Sequence, residues 1–230
     1  MIFITGDIHG TIDIDKIINF FSNENVSNHL TKQDYLILLG DTSICWDDGK
    51  IDSKVKSILQ GLPITTLFID GNHDNHQLIA EYPIVAWNGG HVHEIESDIL
   101  HLMRGEIFTL EDKTFFTFGG AYSIDQHHRT EGISWWPEEL PSAEEYERGL
   151  VNLAKHRNCV DYILTHTAPA FVVGELGLEF MEDEEELQEY FERIAECVNF
   201  KEWFCGHFHE DIIIDEKFHV MMDEIRLIKG

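Results

Sequence analysis

The chain has 230 residues, 43% hydrophobic and 26% charged, and its 43 acids against 16 Lys and Arg give a formal net charge of -27. That length supports one sizeable core or at most two small domains, and no apolar run approaches the roughly 20 residues of a membrane-crossing helix. So acidic a surface repels phosphate backbones, which argues against a large nucleic-acid interface but leaves room for a small phosphorylated substrate.

The first element begins at once, with a buried strand predicted over Ile2 to Thr5. A strand that early leaves no basic leader and no room for a secretory signal, so a cytoplasmic location and no membrane are expected. Tyr35 to Leu39 and Ile64 to Ile69 read as two more buried strands. Between them, Ile14, Ile17, Ile18 and Phe21 recur at helical spacing, as do Ile51, Val55, Ile58 and Leu59. This β-α-β-α-β order predicts right-handed crossovers and a parallel sheet covered on both faces. From His91 to Phe118 the pattern changes to four short strands, at His91 to Ile95, Ile99 to Arg104, Glu106 to Leu110 and Thr114 to Phe118, spaced for hairpins. A long irregular stretch covers residues 119–141. A helix follows near Ala143 to His156, then a strand from Val160 to Thr165, a helix carrying Leu187, Tyr190, Phe191, Ile194 and Val198, and a strand from Trp203 to Cys205. Three short strands, near Asp211 to Ile214, His219 to Met222 and Ile225 to Ile228, close the chain. The acidic run from Glu182 to Glu186 is expected to be a solvated helix start, where negative charge suits the dipole. No repeat or Pro-, Gly- or Ser-rich linker interrupts the chain, so a single domain over 1–230 with a loop insertion around 119–141 is expected. Cys45, Cys159, Cys197 and Cys205 show no C-x-x-C pair, and are expected to be reduced and mostly buried.

Five short segments place metal-binding side chains just after apolar runs: Gly6-Asp7-Ile8-His9-Gly10, Gly40-Asp41, Gly71-Asn72-His73-Asp74, Thr165-His166 and Gly206-His207-Phe208-His209. Each alone has an ordinary structural explanation, such as a turn or a solvated histidine. Their joint occurrence counts for more, because ligands of α/β sheets gather at the carboxyl ends of strands. Glycines beside them let the backbone turn and approach closely. Mixed imidazole and carboxylate donors suit Mn, Fe, Co, Ni or Zn better than Ca or an oxygen-bound Mg.

These five segments resemble the calcineurin-like metallophosphoesterase family, and the match spans residues 6 to 209. The resemblance implies a mixed α/β fold, a four-layer α-β-β-α sandwich of two mixed sheets flanked by helices. It also implies two divalent metal ions: Asp7, His9, Asp41 and His209 would hold one, and Asp41, Asn72, His166 and His207 the other, with Asp41 shared. Manganese is the expected metal, with Fe, Zn, Ni or Co as alternatives. The reaction expected is hydrolysis of a phosphomonoester or small phosphodiester by a metal-activated hydroxide, with His73 protonating the leaving oxygen.

Two departures bear on substrate. The segment Gly40 to Gly49 lacks the Asp-Arg-Gly of the protein Ser/Thr phosphatase branch, and Asp74 stands where that branch carries Glu, so protein phosphatase activity loses weight. Arg129 is the expected substitute phosphate clamp beside Asn72, because its planar fork grips phosphate; Arg104 is a second candidate. Trp135 and Trp136 are expected to anchor the irregular stretch rather than stack on a base. A nuclease and a non-catalytic binding module are the remaining alternatives; the net charge speaks against the first and the full ligand set against the second.

Overall fold

A computed structural model describes residues 1–179 and 181–228. Among the described residues, thirteen short strands alternate with helices: β1 (Ile2–Thr5), β2 (Tyr35–Leu38), β3 (Thr65–Phe68), β4 (Ile84–Trp87), β5 (Gly90–Glu96), β6 (Ile99–Leu102), β7 (Glu106–Leu110), β8 (Lys113–Phe118), β9 (Tyr162–Thr165), β10 (Glu202–Cys205), β11 (Ile212–Ile214), β12 (Phe218–Val220) and β13 (Arg226–Ile228). The helices are α1 (Asp15–Phe21), α2 (Glu24–Ser27), α3 (Lys50–Gln60), α4 (His76–Ala80), α5 (Ala143–Lys155), α6 (Ala170–Glu175) and α7 (Glu185–Cys197).

The strands form two mixed sheets, ordered β13-β1-β2-β3-β6-β5-β4 and β11-β12-β10-β9-β8-β7. In the first, β1, β2, β3 and β6 run parallel; in the second, β8, β9, β10 and β12 do. Period-two alternation explains the stacking. On β1, Ile2 and Ile4 face the opposite sheet while Phe3 faces the helices; on β10, Phe204 faces inward while Trp203 and Cys205 face out. One apolar layer therefore joins the sheets, through Ile37, Leu67, Leu102, Phe108 and Leu164 among others. A second lies between the first sheet and α1 and α3, with Ile17, Val55 and Leu59. A third lies between the second sheet and α5 and α7, with Leu153, Phe191 and Ile194. The expected helix–sheet–sheet–helix sandwich is the observed one.

The predicted hairpins form as β5–β6 and β7–β8, and the chain changes sheets between β6 and β7. Four elements lay outside the sequence reading: α2, α4, α6 and the edge strand β4. All are of four to six residues, too short to show a period. Two expectations need correction. Only Cys45 and Cys205 are buried, whereas Cys159 and Cys197 are exposed; all four are free thiols. The acidic run is not wholly solvated, because a 3-10 turn at Glu182–Glu184 drives Glu184 inside, where it accepts from the Tyr122 amide and the Gln188 side chain. Residues 119–141 stay largely irregular, with 3-10 turns at Gln126–His128 and Pro137–Glu139. Trp136 anchors them as expected: it is buried and meets Trp46 edge-on at 5.2 Å.

Candidate metal centre

All five ligand-bearing segments leave the carboxyl ends of parallel strands, namely β1, β2, β3, β9 and β10, so the two sheets deliver them to one edge of the sandwich. Their backbones are tightly bent there. His9, Asp41, His207 and His209 all have positive φ, between 42° and 68°, a region L-residues enter only when their surroundings dictate it. Gly40 has φ +100°, and a Cβ there would overlap the His166 ring. Only glycine serves at that position.

Asp7, His9 and His209 form one group of converging ligand atoms, and Asp41, His166 and His207 a second. Asp41 lies between them. Its Oδ2 is 3.7 Å from His9 Nε2, and its Oδ1 is 3.4 Å from His166 Nε2. One carboxylate thus turns an oxygen to each group. Asn72 completes the second, with Oδ1 3.1 Å from His166 Nε2, while its amide nitrogen donates to Ser123 Oγ at 2.9 Å. Asp7 Oδ2 lies 3.4 Å from His209 Nε2 and 4.0 Å from His9 Nε2.

The electrostatics of this cluster call for cations. Asp7, Asp41 and His166 are fully buried or nearly so. His166 Nδ1 donates to the Leu39 carbonyl at 2.6 Å, so its Nε2 lone pair meets the Asn72 and Asp41 oxygens. That nitrogen and those oxygens repel one another unless a proton or a metal ion sits among them. The Asp41 carboxylate, accepting from the ring, raises His9 against burial to a pKa of about 9. Burial opposes charge on His166, yet the Asp41 and Asp7 carboxylates raise it to about 10. His207 goes the other way: burial, then His166, lowers it to about 4 and leaves a neutral ring fit for coordination. Burial would raise Asp41, but His166 and His9 hold it well below the usual carboxylate range. The donor set fits two divalent cations of the imidazole-and-carboxylate class.

Several supporting residues escaped the sequence reading. Asp13 accepts from His9 Nδ1 at 2.8 Å and fixes its ring; the i, i+4 spacing was the only signal. Lys16 donates to the Asp7 carbonyl at 2.7 Å, and Ser123 orients Asn72 from 51 residues away. Nothing local in the sequence marks that last pair.

His73 stands beside the two groups. Its amide donates to Asp41 Oδ1 at 2.7 Å, and its ring lies 6.4 Å from that of His9. Burial lowers its pKa, opposed by Asp41 and assisted by Arg129. Arg129 approaches both His73 ring nitrogens, at 2.6 and 3.0 Å, and its Nε contacts Asp125 at 2.8 Å. It reaches the site through His73. Arg104 is no phosphate clamp, contrary to expectation: its buried guanidinium donates through Nε to Asp70 at 2.8 Å and to the Glu138 and Glu139 carbonyls. The Asp74 carboxylate gathers the amides of Gly71, Thr42 and Ser43, and burial, then Asp41, pushes its pKa up to about 6.

A cleft of about 610 Å³ opens on the centre. Asp41, Asn72, His73, His207 and His209 form one side. No helix among the described residues is long and apolar enough to cross a membrane.

Among known proteins, the calcineurin-like phosphoesterase family matches residues 1–211. No curated protein matches the chain. A solved structure of phosphopantetheinyl hydrolase (PptH) from Mycobacterium tuberculosis is similar at 16% identity over 96% of this chain and 89% of that one, with a TM-score of 0.42.

Proposed function

Because this chain belongs to the calcineurin-like phosphoesterase family, we propose that it hydrolyses a phosphomonoester or small phosphodiester with two divalent cations. One cation is assigned to Asp7, His9 and His209, the other to Asn72, His166 and His207, with Asp41 shared. The observation that carries this reading is Asp41 itself, whose two oxygens face the imidazoles of two separate groups. A shared carboxylate lets like charges approach, which a pair of independent sites cannot do.

Bound there, the cations would neutralise charge gathering at phosphorus and acidify water. The protein's own groups do the rest. Asp13 and the Leu39 carbonyl hold the His9 and His166 rings in one orientation, so the donors are set before substrate arrives. His73 lines the cleft beside Asn72, and in this reading it hands a proton to the leaving oxygen. Arg129, itself paired with Asp125, packs against that ring.

The test is metal content and turnover measured together. Purified protein should carry two Mn²⁺, Fe, Zn, Ni or Co ions per chain, and should cleave p-nitrophenyl phosphate or its bis ester, losing activity to a chelator and regaining it with Mn²⁺. Protein that takes up metal yet turns over neither ester would be a binding module instead.

A further inference from the structure

Asn72 is a candidate ligand whose coordinating atom is not fixed by its own chemistry. A carboxamide carries an oxygen that binds cations and a nitrogen that does not, in nearly the same shape. What lies on the far side decides which of the two faces the cation. Here Asn72 Oδ1 lies 3.1 Å from His166 Nε2, and the amide nitrogen donates to Ser123 Oγ at 2.9 Å. A hydroxyl donates as readily as it accepts, so Ser123 holds this orientation only while its own proton is engaged elsewhere. Glu139 is placed to engage it. It ends the 3-10 turn Pro137–Glu139 and is fully buried, and Ser123 and Asn72 are nearly so. Its Oε1 accepts from the Ser123 amide at 2.9 Å and from the Gln126 side chain. Burial raises its pKa, while the Ser123 amide, the Ser123 hydroxyl and the Gln126 amide each favour the carboxylate. Glu139 therefore grips Ser123 from 16 residues away and closes the irregular stretch on itself beside the metal centre.

Building on the two-cation phosphoesterase reading, we infer that Glu139 is a positioning residue for the cation assigned to Asn72, His166 and His207. Glu139 takes the Ser123 hydroxyl proton, Ser123 is thereby left as an acceptor for the Asn72 amide, and the Asn72 oxygen is turned toward His166. The order runs one way: carboxylate, hydroxyl, carboxamide, cation. Partners of this kind behind a metal ligand set how tightly the metal is held. Glu139 acts through Ser123 and takes no part in the chemistry.

The experiment titrates the full chain, first freed of metal, with Co²⁺, following calorimetric heat and visible absorption, and measures p-nitrophenyl phosphate turnover beside it. Wild-type protein should show two binding steps, and Asn72→Ala identifies the step that depends on Asn72. Ser123→Ala should weaken that same step by about 10- to 100-fold, with a changed Co²⁺ spectrum, and leave the other step as it was. Glu139→Gln, which keeps the shape and removes the charge, should weaken the same step by a smaller factor. Added to Ser123→Ala it should weaken that step no further, because its effect passes through the hydroxyl. Should Glu139→Gln fail to fold, Glu139→Asp withdraws the carboxylate from Ser123 and should weaken the same step. Two normal steps in Ser123→Ala or in the Glu139 variant, both steps weakened alike, or losses that add in the double variant overturn this inference and leave the phosphoesterase reading standing. Wild-type protein with fewer than two steps overturns both, and two steps without turnover of any ester overturns the phosphoesterase reading alone.

Discussion

Asp41 and His73 sit on adjoining strand ends and are joined by one hydrogen bond, yet their removal should have opposite signatures. Asp41→Asn takes away the charge that both ligand groups share, so metal content should fall from two ions per chain to one or none, with activity falling alongside. His73→Ala touches no ligand side chain. Metal content should stay near normal while kcat drops by roughly 10²- to 10⁴-fold for an alkyl phosphate, and far less for p-nitrophenyl phosphate, whose leaving group needs no proton. An equal loss on both substrates would show that His73 acts otherwise. At this scale the sequence displayed the side chains that converge on the candidate centre, because each follows a strand within a few positions. It hid what holds them: Ser123 is 51 residues from Asn72, and the Leu39 carbonyl is 127 from His166. Arg104 looked like a free cation for the complementary reason, since Asp70, 34 residues away, gave no local sign of pairing with it.

Between elements, that same pair is a clamp. Arg104 follows β6, Asp70 follows β3, and the guanidinium also reaches Glu145 in α5 and the carbonyls of the turn at Pro137–Glu139. Arg104→Ala would leave the Asp70 charge buried with only His101 and His76 beside it, and should lower stability by about 3–5 kcal/mol in denaturant unfolding. Turnover per folded molecule should hold. A loss of activity without a loss of stability would restore Arg104 as a substrate clamp. The start of α5 offers a smaller, cleaner case. Ser142 accepts from the Glu145 amide while the Glu145 carboxylate accepts from the Ser142 amide at 2.8 Å, so Ser142→Ala should cost about 1 kcal/mol and leave metal content unchanged. Elements of this size were readable when buried runs or helical spacing extended far enough. The strand β4 was not: Ile84–Trp87 is an apolar run of four residues on a partly exposed edge, too short to show a period. Helix α4 is five residues held by its Asn75 cap.

Across the whole molecule, 43 acids face 16 bases, so like-charge repulsion opposes the folded state. Raising ionic strength from about 0.01 M to 1 M shortens the screening length from roughly 30 Å to 3 Å and should raise the thermal midpoint; a fall would show that attractive pairs outweigh the repulsion. Chelation should lower the midpoint and Mn²⁺ should restore it, because cations that bind only the folded state add stability in proportion to their occupancy. The sandwich was legible at this scale only through the family resemblance that the five segments carry, since the strand pattern alone implied a single covered parallel sheet. The joining of the candidate centre to an apolar wall in one cleft was not, because Tyr122, Leu178 and Phe208 come from three distant stretches of the chain. The most direct test of the shared-carboxylate centre is anomalous diffraction from crystals grown with Mn²⁺. Two peaks should flank the Asp41 carboxylate, one by His9 and His209 and one by His166 and His207. A single peak, or metal seated away from Asp41, would contradict it.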